Sequence, residues 1–192
     1  GGTLAPHWTV DTSAAGQASV TTAFGPLGSH HVVMDAASDN VDSVASITVQ
    51  LDLAGRTGVG LRFRHKEMTN HGITGSAEDH EEDGVFLSDD GLTWHRVIHL
   101  VGNGPEYSAH WLLLDDVLGG LGLAFNETFH VRFQWRDNFP ADSDGMSFDV
   151  IEIGPGVDGP PPTEVTPNVT TQQAPELWAR GVDGAGVLVG SI

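Results

Sequence analysis

Residues 129–135, Phe129-His130-Val131-Arg132-Phe133-Gln134-Trp135, alternate apolar and polar side chains without a break. A period of two suits an extended strand with one face in a core and the other toward solvent. The same period recurs along the chain. Residues 46–53 place Ile47, Val49, Leu51 and Leu53 on one face, residues 60–64 alternate likewise, and residues 32–34, 84–88, 93–100 and 147–153 are further short strand-like runs. In the last of these, Phe148 and Ile153 face inward together with either Val150 or Ile151. No helical period separates the runs, and 25 glycines and 10 prolines supply turns between them. Asp89-Asp90-Gly91 joins two of them, and Asp-Gly is the strongest short hairpin signal in the chain. Ser88 and the two aspartates look like a ligand cluster, but the hairpin accounts for them. Eight or so such strands predict an all-β domain, an antiparallel β-sandwich or jelly roll.

The character changes at Gly154. Residues 154–162 hold four prolines and three glycines, which suit neither a sheet interior nor a helix, so residues 154–163 read as a semi-rigid linker after a domain spanning 1–153. Beyond it lies a C-terminal extension, residues 164–192, of one short helix and one strand. Pro175 and Glu176 open the helix, Arg180 and Gly181 close it, and Val187-Leu188-Val189 forms a continuous apolar strand.

Two segments carry a resemblance. Residues 61–67, 83–94, 133–135 and 144–153 give the domain a pattern that resembles bacterial secreted, lectin-like jelly-roll modules related to MAM and reelin-type domains. That resemblance implies a non-catalytic, extracellular module in which a calcium ion often ties loops to strand ends. Residues 168–192, with Ala174-Pro175-Glu176-Leu177-Trp178-Ala179-Arg180-Gly181 and Gly184-Ala185-Gly186-Val187-Leu188-Val189, resemble the opening of a subtilisin-like serine protease domain. There the strand runs into the first triad aspartate. This sequence supplies no triad residue, and Asp183 precedes the strand, so the chain is expected not to be an enzyme.

Charge narrows the partners. With 26 acidic and 8 basic residues the formal net charge is −18, and the only lysine is Lys66. Nucleic-acid binding through phosphate neutralisation and docking on anionic membranes are therefore excluded, and no apolar run approaches the roughly 20 residues that span a bilayer. Without cysteine there is no disulfide and no thiolate metal site. Nine of the acids lie in residues 66–83 and 136–145. Calcium takes about six to eight oxygen ligands, and Asp142-Ser143-Asp144-Gly145 has the spacing of half a calcium loop. The expected calcium ligands are Glu67, Glu82, Asp83, Asp137, Asp142, Asp144 and Asp149, set against the plainer reading of acidic, solvated loops. Zinc fits poorly: His95 and His99 on a strand stand about 13 Å apart. His65, His71 and His80 bracket the acidic loop and read as surface histidines. Trp94, Trp111 and Trp135 are candidates for stacking on sugars, although the alternation turns Trp135 inward. The sequons at Asn126 and Asn168 add little.

The leading expectation is a secreted, calcium-stabilised binding or adhesion module, with a protein or glycan ligand, associated with a subtilisin-like protease sequence. One alternative is a structural subunit that donates its C-terminal strand, with Val187, Leu188, Val189 and Ile192 as the assembling residues, to a neighbouring copy in a fibre or oligomer. Another is a pro-region or targeting domain of a secreted serine protease.

Overall fold

The structure is a computed structural model that describes residue 4, residues 7–13, 15–21, 30–38, 41–67, 82–100, 106–137 and 145–161, and the backbone of 188–190. Its strands are β1 (Trp8–Ser13), β2 (Gly16–Thr21), β3 (His31–Ala36), β4 (Ser43–Leu51), β5 (Val59–Glu67), β6 (Gly84–Ser88), β7 (His95–His99), β8 (Ser108–Leu113), β9 (Phe129–Asp137), β10 (Gly145–Pro155) and β11 (Leu188–Gly190). One helix, α1 (Leu114–Leu121), follows β8. A five-stranded sheet has the order β1-β4-β9-β6-β7, and a six-stranded sheet has the order β2-β3-β10-β5-β8 with β11 also paired to β10. Every pairing is antiparallel, which makes the molecule an all-β sandwich.

The alternation of β9 organises the core. Phe129, Val131, Phe133 and Trp135 are buried, and the register sets Phe133 between Ile47 on β4 and Val85 on β6. Across the interlayer space Phe133 meets Phe63 edge-on at 5.1 Å and Phe148 at 5.3 Å. Each such aromatic pair adds about 0.5–1.5 kcal/mol beyond the area it buries, so these rings pin the two sheets together.

The Val150-or-Ile151 ambiguity has a structural cause. Between Asp149 and Glu152 the register of β10 against β5 shifts, because three steps on β10 answer two on β5. Val150 is the extra residue, held in the left-handed region at φ 51°, with its N–H donated to Asp149 Oδ1 at 2.7 Å. The bulge restores the alternation, so that Ile151 and Ile153 both join the core. It also marks a change of neighbour. β3 pairs β10 only over residues 145–148, and β11 pairs it over 151–153.

Three expectations need correction. A helix exists where no helical period was read, because two turns are too short to show one. Leu114 and Leu118 face the core, Asp115 and Asp116 occupy the first turn, and Gly122 ends the helix at φ 72°. Asp115 also accepts the N–H groups of Gly58 and Val59, at 3.0 and 2.8 Å, anchoring the start of β5. Secondly, the sheet does not stop at residue 153. β10 continues through Gly154 and Pro155, with proline tolerated at the strand's last position. Val157 stays buried and its carbonyl accepts the Trp111 indole N–H, while a Cβ at Gly60 would collide with that same carbonyl. Thirdly, His65 is not a surface histidine but a fully buried one. Strands β1, β2 and β8 were not anticipated. The turn at 25–29, the loop 68–81 and the helix near 175–181 lie outside the described residues.

Candidate functional site

The polar half of the β9 alternation, His130, Arg132, Gln134 and Arg136, points away from the core on the outer face of the five-stranded sheet. Neighbouring strands present short polar side chains to the same face: Thr9 and Asp11 from β1, Ser46, Thr48 and Gln50 from β4. A groove of about 440 Å³ opens there. Thr9, Thr48, Gln50 and His130 form its floor, with His7 and Leu51 beside them, and Asp52 and Glu127 stand at the strand ends.

Local folding fixes these end residues. Asn126 donates its amide to the Asp89 carbonyl at 2.7 Å and accepts the Thr128 N–H at 2.9 Å, while its own carbonyl receives the Leu53 N–H. The Ala124 N–H meets the Asp89 carboxylate at 3.2 Å. Glu127 is thereby clamped between the end of β4 and the β6–β7 hairpin. The hairpin is tied by Asp90, which accepts N–H groups from Leu92 and Thr93, both at 2.7 Å, and hydroxyls from Ser88 and Thr93. Those four donors hold the Asp90 carboxyl well below the usual carboxylate range and commit it to the turn.

The same hairpin delivers Trp94 beside His130, a groove residue. Its ring lies edge-on to His130 at 6.0 Å, and the Arg132 guanidinium lies 3.7 Å from its centroid. Arg132 reaches over β4 to donate from Nε to Thr48 Oγ1 at 3.2 Å, which helps explain why Thr48 is 6% exposed on an outward-facing position. Burial lowers the pKa of Arg132, with Asp11 partly offsetting it. Burial, followed by the charge of Arg132, likewise lowers that of His130, whose Nδ1 is buried without a hydrogen-bond partner among the described residues.

The expected calcium ligands are scattered. Glu82 pairs with Arg136, which also binds Asp42 at 2.9 Å. Asp83 is fully buried and accepts the Arg136 backbone N–H at 2.6 Å; Asp137 is 6% exposed, opposite Ser43 at the end of β9. These three share one end of the five-stranded sheet. Glu67 and Asp149 belong to the other sheet, opposite Met146 and Arg64. Asp142 and Asp144 lie outside the described residues. Among the described residues no three His, Asp or Glu side chains gather as metal ligands. Of the tryptophans, Trp135 is core at 3% exposure and Trp111 is 43% exposed on β8, an edge strand of the other sheet. Leu188 and Val189 fall in β11, whereas Val187 and Ile192 lie outside the described residues. Arg132, His130, Thr48 and Gln50 were not singled out from the sequence, although the period-two pattern already placed them on a common outward face.

No protein-family model and no curated protein matches the chain. Among solved structures it is similar to the family 11 carbohydrate-binding module of the cellulosomal cellulase Lic26A-Cel5E of Clostridium thermocellum, at 13% identity and a TM-score of 0.43, over 78% of this chain and 87% of that one. A family 11 module from Clostridium thermocellum in complex with a β-1,3-1,4-mixed-linked tetrasaccharide aligns at 10% identity and a TM-score of 0.39, over 76% and 87%. TmCBM61 in complex with β-1,4-galactotriose aligns at 13% identity and 0.38, over 76% and 84%. All three scores lie below 0.5, and the fold assignment stands on the strand pairing itself.

Proposed function

We propose that the chain is a non-catalytic binding module that takes a carbohydrate in the groove of the five-stranded sheet. The observation that carries this reading is the composition of that groove: almost every lining side chain can donate or accept a hydrogen bond, and the Trp94 indole lies next to the lining residue His130. Small-molecule sites of roughly 300–1,000 Å³ are usually apolar with a few polar anchors. A lining with the opposite balance suits a ligand covered in hydroxyls, each able to donate and accept. Carboxylates such as Asp52 and Glu127 suit pairs of hydroxyl donors, and an aromatic face takes the C–H face of a sugar ring. Asp52 Oδ1 is engaged by the Ala54 N–H, and the groove is read as holding a sugar rather than cleaving it.

The test is titration calorimetry with a mixed-linked β-glucan tetrasaccharide, β-1,4-galactotriose and a wider panel of oligosaccharides, the products being checked for cleavage. Binding to at least one, weakened about tenfold or more by Trp94→Ala, is the expected result. A folded chain that binds none refutes the reading, and release of reducing ends converts it to a hydrolase. An extracellular setting, association with a subtilisin-like sequence, and calcium at the sheet end holding Glu82, Asp83 and Asp137 belong to the same proposal. Calcium would act there as a brace between loops.

A second reading has an observation of its own. The C-terminal strand β11 occupies the edge of β10 that β3 leaves open, antiparallel, with Glu152 opposite Val189. A seat that accepts this segment from its own chain also suits the same segment from a neighbouring copy, as in an exchanged-strand oligomer.

A further inference from the structure

Two arginines of this acidic chain are occupied by its own acids. Arg62 donates to Glu152 at 2.6 Å, and Arg136 binds both Asp42 and Glu82. Arg132 differs. Its guanidinium makes one hydrogen bond among the described residues, from Nε to the neutral Thr48 hydroxyl, and Asp11 acts on it only through space. Its Cζ lies over the Trp94 ring, 3.7 Å from the centroid. Of the five N–H donors of a guanidinium, the four on the terminal nitrogens stay uncommitted. The guanidinium thus neighbours two residues of the groove floor, Thr48 through the Nε bond and His130 through its charge.

From this geometry we infer that Arg132 receives the carboxylate of an acidic sugar, a uronic acid residue of the bound glycan. The inference rests on the carbohydrate reading of the groove and narrows its ligand class. A guanidinium fork matches a carboxylate through two parallel N–H···O bonds, and the Thr48 bond and the indole beneath hold the guanidinium in place before the ligand arrives, which reduces the ordering cost of binding. Partial burial keeps such a pair from being screened as a surface ion pair is. The net charge of −18 opposes a densely charged polyanion, but at physiological salt the Debye length is about 8 Å, so distant acids are screened while a contact pair persists. The expected ligand therefore offers one carboxylate at the Arg132 position among neutral hydroxyl groups, rather than a run of sulfates or phosphates.

The experiment titrates the full chain with oligogalacturonate, oligomannuronate and glucuronic acid-substituted xylo-oligosaccharides, each beside its carboxyl-reduced, neutral twin. At least one acidic oligosaccharide binds roughly ten- to a hundredfold more tightly than its reduced twin, and with Arg132→Gln the acid and its twin bind equally, whatever the variant does to binding of the twin. Because the reduced ligands are compared on the unaltered chain, loss of fold in the variant cannot mask the result. If neutral oligosaccharides bind and every acid equals its twin, the carboxylate assignment falls and the carbohydrate reading stands. If no oligosaccharide binds, both fall.

Discussion

Acid should weaken this fold most through His65, whose pKa is lowered further than those of His110 and His130. Its ring is fully buried on β5, its Nδ1 lies 3.0 Å from His110 Nε2, and its Nε2 has no hydrogen-bond partner among the described residues. Phe63 stacks on His110 at 4.8 Å, and Phe148 lies 6.1 Å from His65. Burial, followed by the neighbouring His110, pushes the His65 pKa down from 6.5 to about 3. The unfolded chain therefore takes up a proton as pH falls through about 6.5, while the folded chain resists until about 3. Its contribution to stability is complete above the unfolded value and is lost progressively below it. From linkage, about 2 kcal/mol disappears between pH 7 and pH 5, and between 4 and 5 kcal/mol, on the order of the full shift, by pH 3. For a domain of this size about 2 kcal/mol corresponds to roughly 4–8 °C in melting temperature. The assay is thermal or urea unfolding at pH 7, 6 and 5 for the wild type and for His65→Leu, which keeps the site filled and removes the titrating ring. His110 is half-buried and burial lowers its pKa too, but it is present in both proteins, so the difference between them reports His65. The variant's stability should fall less by about 2 kcal/mol over this range. Parallel pH profiles would show that His65 is not the acid-sensitive group and sink the argument.

Three further outcomes follow from the fold. Val150→Gly should cost less in urea unfolding than Ile151→Gly, by about 1 kcal/mol or more, because relief of the left-handed strain at Val150 offsets part of the lost side-chain burial; equal losses would place both residues in ordinary strand geometry. Millimolar calcium should raise the melting temperature and a chelator lower it by mass action, and an unmoved transition removes the metal. Glu152→Cys with Val189→Cys gives the otherwise cysteine-free chain a single thiol pair at facing positions. An oxidised monomer would mean that β11 stays on its own chain, and a disulfide-linked dimer would mean exchange between copies.

Where burial imposes a strict period the sequence was transparent. The alternations of β9, β4 and β5 identified the inward residues because every second side chain had to be apolar, and Asp89-Asp90-Gly91 named its hairpin because Asp90 itself ties the turn. Legibility failed where a segment owed its shape to its neighbours. β1 mixes exposed Val10 with polar residues and gains its register from β4; β8 is an edge strand whose Trp111 faces outward; α1 is too short to display a helical period. The extra residue at Val150 was invisible for a related reason, since a bulge preserves apolar content while breaking the count.

The candidate site shows the same division more sharply. Periodicity declared that His130, Arg132, Gln134 and Arg136 share a face, but not what lies across from them. Arg136 and Arg132 are four residues apart on one face of β9, yet the sheet end gives the first two carboxylates, and the middle of the sheet gives the second a hydroxyl and an indole. That contrast depends on β4 delivering Thr48 and the hairpin delivering Trp94 from 38 residues earlier in the chain, a juxtaposition set by strand order and absent from any local pattern. It also changes what the net charge means. In a chain with 26 acids, Arg132 makes no ion pair among the described residues and Asp11 acts on it only through space, so a ligand carboxylate is the group that would complete it.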